Sequence, residues 1–323
     1  MKTVSLTRGA RIVSILVVAQ GFSHNLVKHR ALLLMLLAPV LYLIINNYLP
    51  MIGVIIAFKN VNYAKGIFRS DWVGFYNFRY LFATRDAYII TRNTLLYNLL
   101  FIVLNVVIPV AVAVAINELR GGRLKRLYQT AFLFPYFISM VVVSYLVLSL
   151  LSPDKGLLNE TLLPFLGRQP VNWYNEPVYW PFILAIVYVW KNAGYTMVIY
   201  LATLAGIDSQ YYDAVAIDGG SKWVQIRYVT LPLIQPTIAV LTLLAVGKIF
   251  NSDFGLFYQV PLQSGTLFPV TQVIDTYVYR ALIQSSDLGM ASAAGLYQAA
   301  VGFVLVFVTN AIVRRANPEL ALF

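Results

Sequence analysis

YYDAVAIDGGSKWVQIRYVTLPLIQP, residues 211–236, decides how the chain is read. It is the one polar island in the second half that is long enough to fold and does not read as an outer loop. Asp208 and Ser209 can cap a short helix that ends at Gly219 and Gly220, because an Asp or Ser oxygen satisfies free N–H groups and glycine tolerates a left-handed turn. Ser221 can cap a second short helix, which Pro232 is expected to limit. The expected product is a bent pair of helices outside the apolar phase, set between long hydrophobic runs.

Outward from this island the chain is overwhelmingly apolar. Of its 323 residues 59% are hydrophobic and only 11% charged, against about 25% charged in soluble domains. A mean hydropathy of +0.72 agrees. The fold class is therefore all-α: a polytopic membrane protein. Apolar runs predict six transmembrane helices at about 31–58, 95–116, 127–151, 180–204, 233–250 and 290–313, with Pro39 and Pro50 as bends in the first. The segment 59–92, with Trp72, Tyr76, Phe78 and Tyr80, is too long for a turn and reads as a structured outer loop. A second outer loop carries Pro153, Pro164, Pro170 and Pro177, and a third runs to Leu288. Residues 1–30 surround the short run 12–19 with Lys2, Arg8, Arg11, Lys28 and Arg30, and no small-residue cleavage site follows. They are expected to form an amphipathic segment on the inner membrane surface. Residues 31–315 are the membrane domain, and 316–323 a cytoplasmic tail.

Charge sets the orientation. The short loop after the second run holds Arg120, Arg123, Lys125 and Arg126, a density that marks a cytoplasmic side. Lys222, Arg227, Arg314 and Arg315 then fall on that side too, which predicts both termini inside and places residues 211–236 in the cytoplasm.

Several chemistries are excluded. No cysteine is present, and His24 and His29 both lie near the start, so thiol catalysis and a histidine metal site within the spans are ruled out. No Gly-x-x-x-x-Gly-Lys-Ser/Thr run exists to cradle a nucleotide, so any ATP is bound by another chain. The net charge of +11 belongs to topology here, with no nucleic-acid role.

The spacing Asp213-Ala214-Val215, three residues, Gly219, nine residues, Val229, one residue, Leu231-Pro232 resembles the EAA loop of permease subunits of binding-protein-dependent ABC importers. Asp213 stands where that family has Glu, Val215 replaces its second Ala and Val229 its Ile. The resemblance implies a type I ABC importer transmembrane domain in a bacterial inner membrane, with the loop 208–232 docking on a cytoplasmic ATPase. It implies as partners a second, non-identical permease, two copies of the ATPase, which bind ATP and Mg, and an extracytoplasmic solute-binding protein. No cofactor would be bound by this chain. Val-Ile-Asp-Thr-Tyr-Val-Tyr-Arg (273–280) and the small residues 289–295 resemble the sugar-importing branch, and the nearest likeness within it is to the alginate-oligosaccharide importers. The small residues are explained equally by close helix packing.

Candidate substrate-path residues follow from polarity within the spans. Lys191 sits mid-span, where facing lipid would cost about 2.5–3.5 kcal/mol. With Asn192, Tyr188, Trp190 and Tyr195 it either lines a wet path whose aromatic faces suit sugar rings or tethers a neighbouring helix through backbone carbonyls. Lys248, Asn251 and Asp253 gather near the outer end of the fifth run, where the lysine and aspartate can also simply pair with each other. Lys59, Lys65, Arg69, Arg79, Arg85, Arg92 and Arg280 on the outer side would favour an anionic solute, though they also suit lipid headgroups or an acidic binding protein. An ion-coupled secondary transporter is the competing class. It usually places carboxylates within spans, and none lies inside an apolar run here.

Overall fold

The computed structural model describes residues 28–119, 121–284 and 286–316. The expected surface segment at 1–30, apart from its last residues, Arg120 and the tail beyond Ala316 lie outside the described residues. The chain divides into two compact units, Met1–Ile55 and Ile56–Phe323.

In the first unit a helix Arg30–Leu43 contains Pro39, passes through a π-turn at Ile44–Tyr48, and resumes at Leu49–Met51. Pro50 stands in the first turn of that last piece, where a missing N–H matters least.

The second unit is helical, relieved only by a two-residue antiparallel pair, Lys59–Asn60 with Asp71–Trp72, among the described residues. Among the described residues five helices, the first of them Arg30–Phe58, are long and apolar enough to cross a membrane, and a bent pair makes a sixth if it is one span. Span two is the helix Arg85–Glu118, longer at both ends than the apolar run, and at about 1.5 Å per residue it projects beyond a bilayer core. Span four, Trp180–Ala205, and span six, Leu288–Ala316, match the expected bounds closely.

Two expectations are corrected. Span three is not one straight helix: Gly122–Phe137 and Met140–Leu151 meet at 99°. Pro135 ends the regular ladder of the first, and Ser139 starts the second by accepting the N–H of Val142 at 3.4 Å. Pro232 does not limit the helix after Ser221. Lys222–Gln225 runs through a π-turn, Ile226–Thr230, into Leu231–Val246, and the proline sits in that helix's first turn. A π-turn shifts the carbonyl register, so the N–H that proline lacks is not missed.

Packing joins spans two and four along most of their lengths. At one end Val110, Ala113, Ile116, Met197, Tyr200 and Ile234 close a core between spans two, four and five. At the other, Tyr97 and Phe101 meet Val143, Leu184 and Phe257, so the bent-off helix Met140–Leu151 packs one face against the bundle.

Candidate functional site

The loop after span four folds as its residues dictate. The Asp208 carboxylate accepts the N–H of Gln210 at 3.0 Å and starts the helix Ser209–Ile217. Gly219 then adopts φ +76°, and Gly220 N–H closes the turn on the carbonyl of Val215 at 2.8 Å. The two glycines do different jobs. A Cβ on Gly219 would meet nothing within 4 Å, whereas one on Gly220 would stand 2.5 Å from Val215 Cγ1. Gly219 is needed for its conformation and Gly220 for its lack of volume. Family resemblance singled out only the first.

The loop is tied to the bundle as one piece. Gln225 Nε2 donates to the carbonyl of Tyr212 at 2.9 Å, the hydroxyls of Tyr212 and Thr230 lie 3.2 Å apart, and Lys222 pairs with Glu118 at the end of span two at 3.2 Å. Of the motif residues, Asp213, Ala214, Gly219, Leu231 and Pro232 are exposed, Val215 is half-buried and Val229 buried. Beside them Ile217 is 87% exposed, joined by Tyr211 and Trp223. These apolar groups were missed by sequence reasoning. An isoleucine immediately before a glycine turn outside the membrane was the available signal.

A cavity of about 520 Å³ lies between spans two, four and five. Its walls include Asn98, Phe101 and Asn105 of span two, at helical spacing, and Tyr188, Asn192, Thr196 and Tyr200 of span four, an i,i+4 row. Lys248, Asn251, Ser252 and Asp253 complete it. Tyr188 stacks on Phe101, ring centres 3.9 Å apart and nearly parallel. Thr196 donates to Asn105 Oδ1 at 3.1 Å, and Asn98 Nδ2 to the carbonyl of Ile249 at 2.8 Å. The hydroxyls of Tyr200 and Ser252 are buried there without a protein partner. Among the described residues Lys248 and Asp253 form no ion pair. Asp253 instead caps the helix Phe254–Gln259, accepting from the N–H of Leu256 at 3.0 Å.

Tyr188, Asn192, Lys248, Asn251 and Asp253 are thus brought together. Trp190, Lys191 and Tyr195 are not. Lys191 and Tyr195 belong to the neighbouring i,i+4 row, which lies against Gly122–Phe137. Lys191 Nζ donates to the carbonyls of Ile138 at 2.5 Å, Tyr136 at 3.1 Å and Pro135 at 3.5 Å. They lie at the end of a helix, where the Pro135 carbonyl also accepts the N–H of Ile138 at 3.2 Å, and a cation there complements the helix dipole. Tyr195 stacks on Tyr136 at 4.7 Å, and Trp190 lines a separate apolar pocket with Pro135. The side chain therefore sits as a tether on the break in span three. Lys191→Met should lower stability by about 2–3 kcal/mol, because charged hydrogen bonds to carbonyls are lost and the carbonyls stay dry. Denaturation in detergent micelles checks this, and unchanged stability would remove the tether.

No metal-ligating cluster forms among the described residues.

Residues 105–318 match the family described as "Binding-protein-dependent transport system inner membrane component". The chain is 34% identical over 296 residues to the polygalacturonan/rhamnogalacturonan transport system permease protein YteP of Bacillus subtilis (strain 168), covering 91% of each. It is 32% identical over 322 residues to Protein LplB of the same organism, covering 99% of each. Among solved structures, a chain of a bacterial ABC transporter involved in the import of the acidic polysaccharide alginate superposes with TM-score 0.84 and 32% identity, over 92% of this chain and 99% of that one. A second crystal structure, of a bacterial alginate ABC transporter in complex with alginate pentasaccharide-bound periplasmic protein, gives TM-score 0.82 at 32% identity.

Proposed function

The chain belongs to the inner membrane components of binding-protein-dependent transport systems, and on that premise we propose that it is the channel-forming permease subunit of an ATP-driven oligosaccharide importer. The observation that carries the substrate reading is the cavity between spans two, four and five. Amide and hydroxyl groups match sugar hydroxyls, the Tyr188–Phe101 stack offers an aromatic face, and two buried hydroxyls lack partners. From Tyr188 to Tyr200 the row rises about 18 Å, room for a short oligosaccharide threaded along the helix.

Transport by this reading needs energy from elsewhere. The outward face of Asp213, Ala214 and Gly219, with exposed Ile217 and Trp223, has the chemistry of a docking surface for a cytoplasmic ATPase carrying ATP and Mg. A second permease completes the channel, and a binding protein delivers sugar from outside. Both termini then face the cytoplasm. Ile217→Glu should weaken ATPase retention about tenfold or more during purification, since a desolvated apolar anchor becomes a charge. Full retention would displace the docking surface from this loop.

The cargo is acidic. Lys248 brings a cation to the cavity beside the helix-capping Asp253, the outer segments carry further lysines and arginines, and the chain is similar to a polygalacturonan/rhamnogalacturonan transport permease and to an importer of the acidic polysaccharide alginate. Uptake into proteoliposomes holding the whole importer should favour uronate oligomers over neutral glucans of equal length, most strongly at low salt. Preference for the glucan would remove the acidic cargo and leave the importer intact.

A further inference from the structure

Arg280 lies in the last turn of the helix Ile274–Ile283, just ahead of span six. Its guanidinium carbon stands 4.0 Å from the ring centre of Phe268, and Nη1 reaches Gln263 Oε1 only at 3.5 Å. Nη2 is buried and has no acceptor among the described residues. Burial pushes the pKa down while the negative charge of Asp86 opposes it, yet a guanidinium keeps its proton in any protein. A fixed positive charge with unspent donors is an unfavourable resting arrangement, because donors of charged groups are the costliest to leave unmade.

The group borders a cavity of about 390 Å³, whose polar walls include Gln272 and Gln284. Asp86 also borders it but is exposed, so water screens its charge, and it makes no ion pair with Arg280 among the described residues. Phe268 covers one face of the guanidinium, and Arg280 itself lines the cavity. We propose that Arg280 and this cavity form an outer recognition site for the carboxylate of an acidic sugar, a specificity element ahead of the central cavity. The inference rests on the importer reading given above.

Placement on the same packed assembly as Asp253 of the central cavity favours a sugar over a carboxylate from a partner protein. Tyr279, next to Arg280, packs on Phe254 and Tyr258 with ring centres 5.0 Å away in each case, and Phe254 and Tyr258 stack at 4.9 Å. Phe254 directly follows Asp253, which lines the central cavity. These rings join the segment that begins at Asp253 to the helix that carries Arg280, so the two places belong to one packed outer assembly.

The test compares wild-type, Arg280→Gln and Arg280→Lys importers, complete with ATPase and binding protein, in proteoliposomes. Uronate oligomers are set against the same oligomers with their carboxyls reduced to alcohols. Arg280→Gln should raise KM for the uronate about 10- to 100-fold, the loss expected for one charged hydrogen-bonded contact, with kcat and reduced-oligomer uptake unchanged. Arg280→Lys should restore part of it, since the charge returns without the planar fork. Equal loss for both oligomers would make Arg280 merely structural and overturn the proposal, as would unchanged uronate KM. Weaker cosedimentation of the sugar-free binding protein with Arg280→Gln vesicles would assign the carboxylate to that protein instead. Failure of the wild type to import any uronate would sink the acidic cargo itself, a result distinct from uronate import that ignores Arg280.

Discussion

Replacement of Gly194 by valine is expected to abolish accumulation of folded protein. A Cβ at this position would stand 1.9 Å from the carbonyl oxygen of Phe132, 2.4 Å from its carbonyl carbon and 2.8 Å from Leu133 N. All are backbone atoms of the helix Gly122–Phe137, so no side chain can swing aside. Relief requires the two helices to separate, which breaks the Lys191 contacts to the carbonyls of Tyr136 and Ile138 and the Tyr136–Tyr195 stack together. Overpacking by a few methyl groups already costs about 1–3 kcal/mol where side chains can adjust, against a total stability of about 5–15 kcal/mol. Here adjustment is blocked, and the bend of span three goes with it. Gly295→Ala is the control: its Cβ meets nothing within 4 Å, and in a helix it should be neutral or slightly stabilising. Gel filtration of detergent extracts reads both variants, and a monodisperse Gly194→Val peak of wild-type yield would refute the close contact.

The second large effect is at the loop turn. Gly219→Leu should insert and fold, yet abolish substrate-stimulated ATP hydrolysis by the partner ATPase. Within this chain the leucine meets open space, so its internal penalty is the left-handed backbone at φ +76°, about 1–2 kcal/mol. In the assembled importer the same open space is where the ATPase would seat, and a bulky group there prevents docking. Gly219→Asn separates the two causes, since asparagine tolerates the left-handed region. It should keep the turn and retain part of the coupling. Gly220→Leu should instead damage the loop itself, through contact with Val215. Wild-type stimulation in Gly219→Leu would mean that this turn does not face the ATPase.

These residues show what was legible and what was not. Helix class and the bounds of spans one, four and six followed from composition and apolar run length, because a bilayer about 30 Å thick leaves few ways to bury a backbone. Span two, by contrast, is longer than its apolar run, and the span-five helix ends at Val246 rather than near Phe250. Span four was read nearly to the residue. The loop caps were equally local: Asp208 at one end and a left-handed Gly219 at the other are decided by chemistry within one turn.

Beyond that range the sequence is silent for physical reasons. It marked Lys191 as expensive in lipid but left path and tether equally open, because hydropathy prices a charge without naming its partner. The partner, the carbonyls at the end of Gly122–Phe137, is more than fifty residues away and exists only because span three breaks. Tyr188 and Lys191 look interchangeable in sequence, yet they fall on neighbouring rows that face different helices. Pro232 read as a stop because a proline in isolation ends a helix, whereas a π-turn before it let the helix continue into span five. Sequence by itself determined that the chain crosses a membrane and where its loop turns. Only the tertiary structure decided which polar residues share a cavity, because a helix fixes angular position along its own axis and only packing fixes what each face meets.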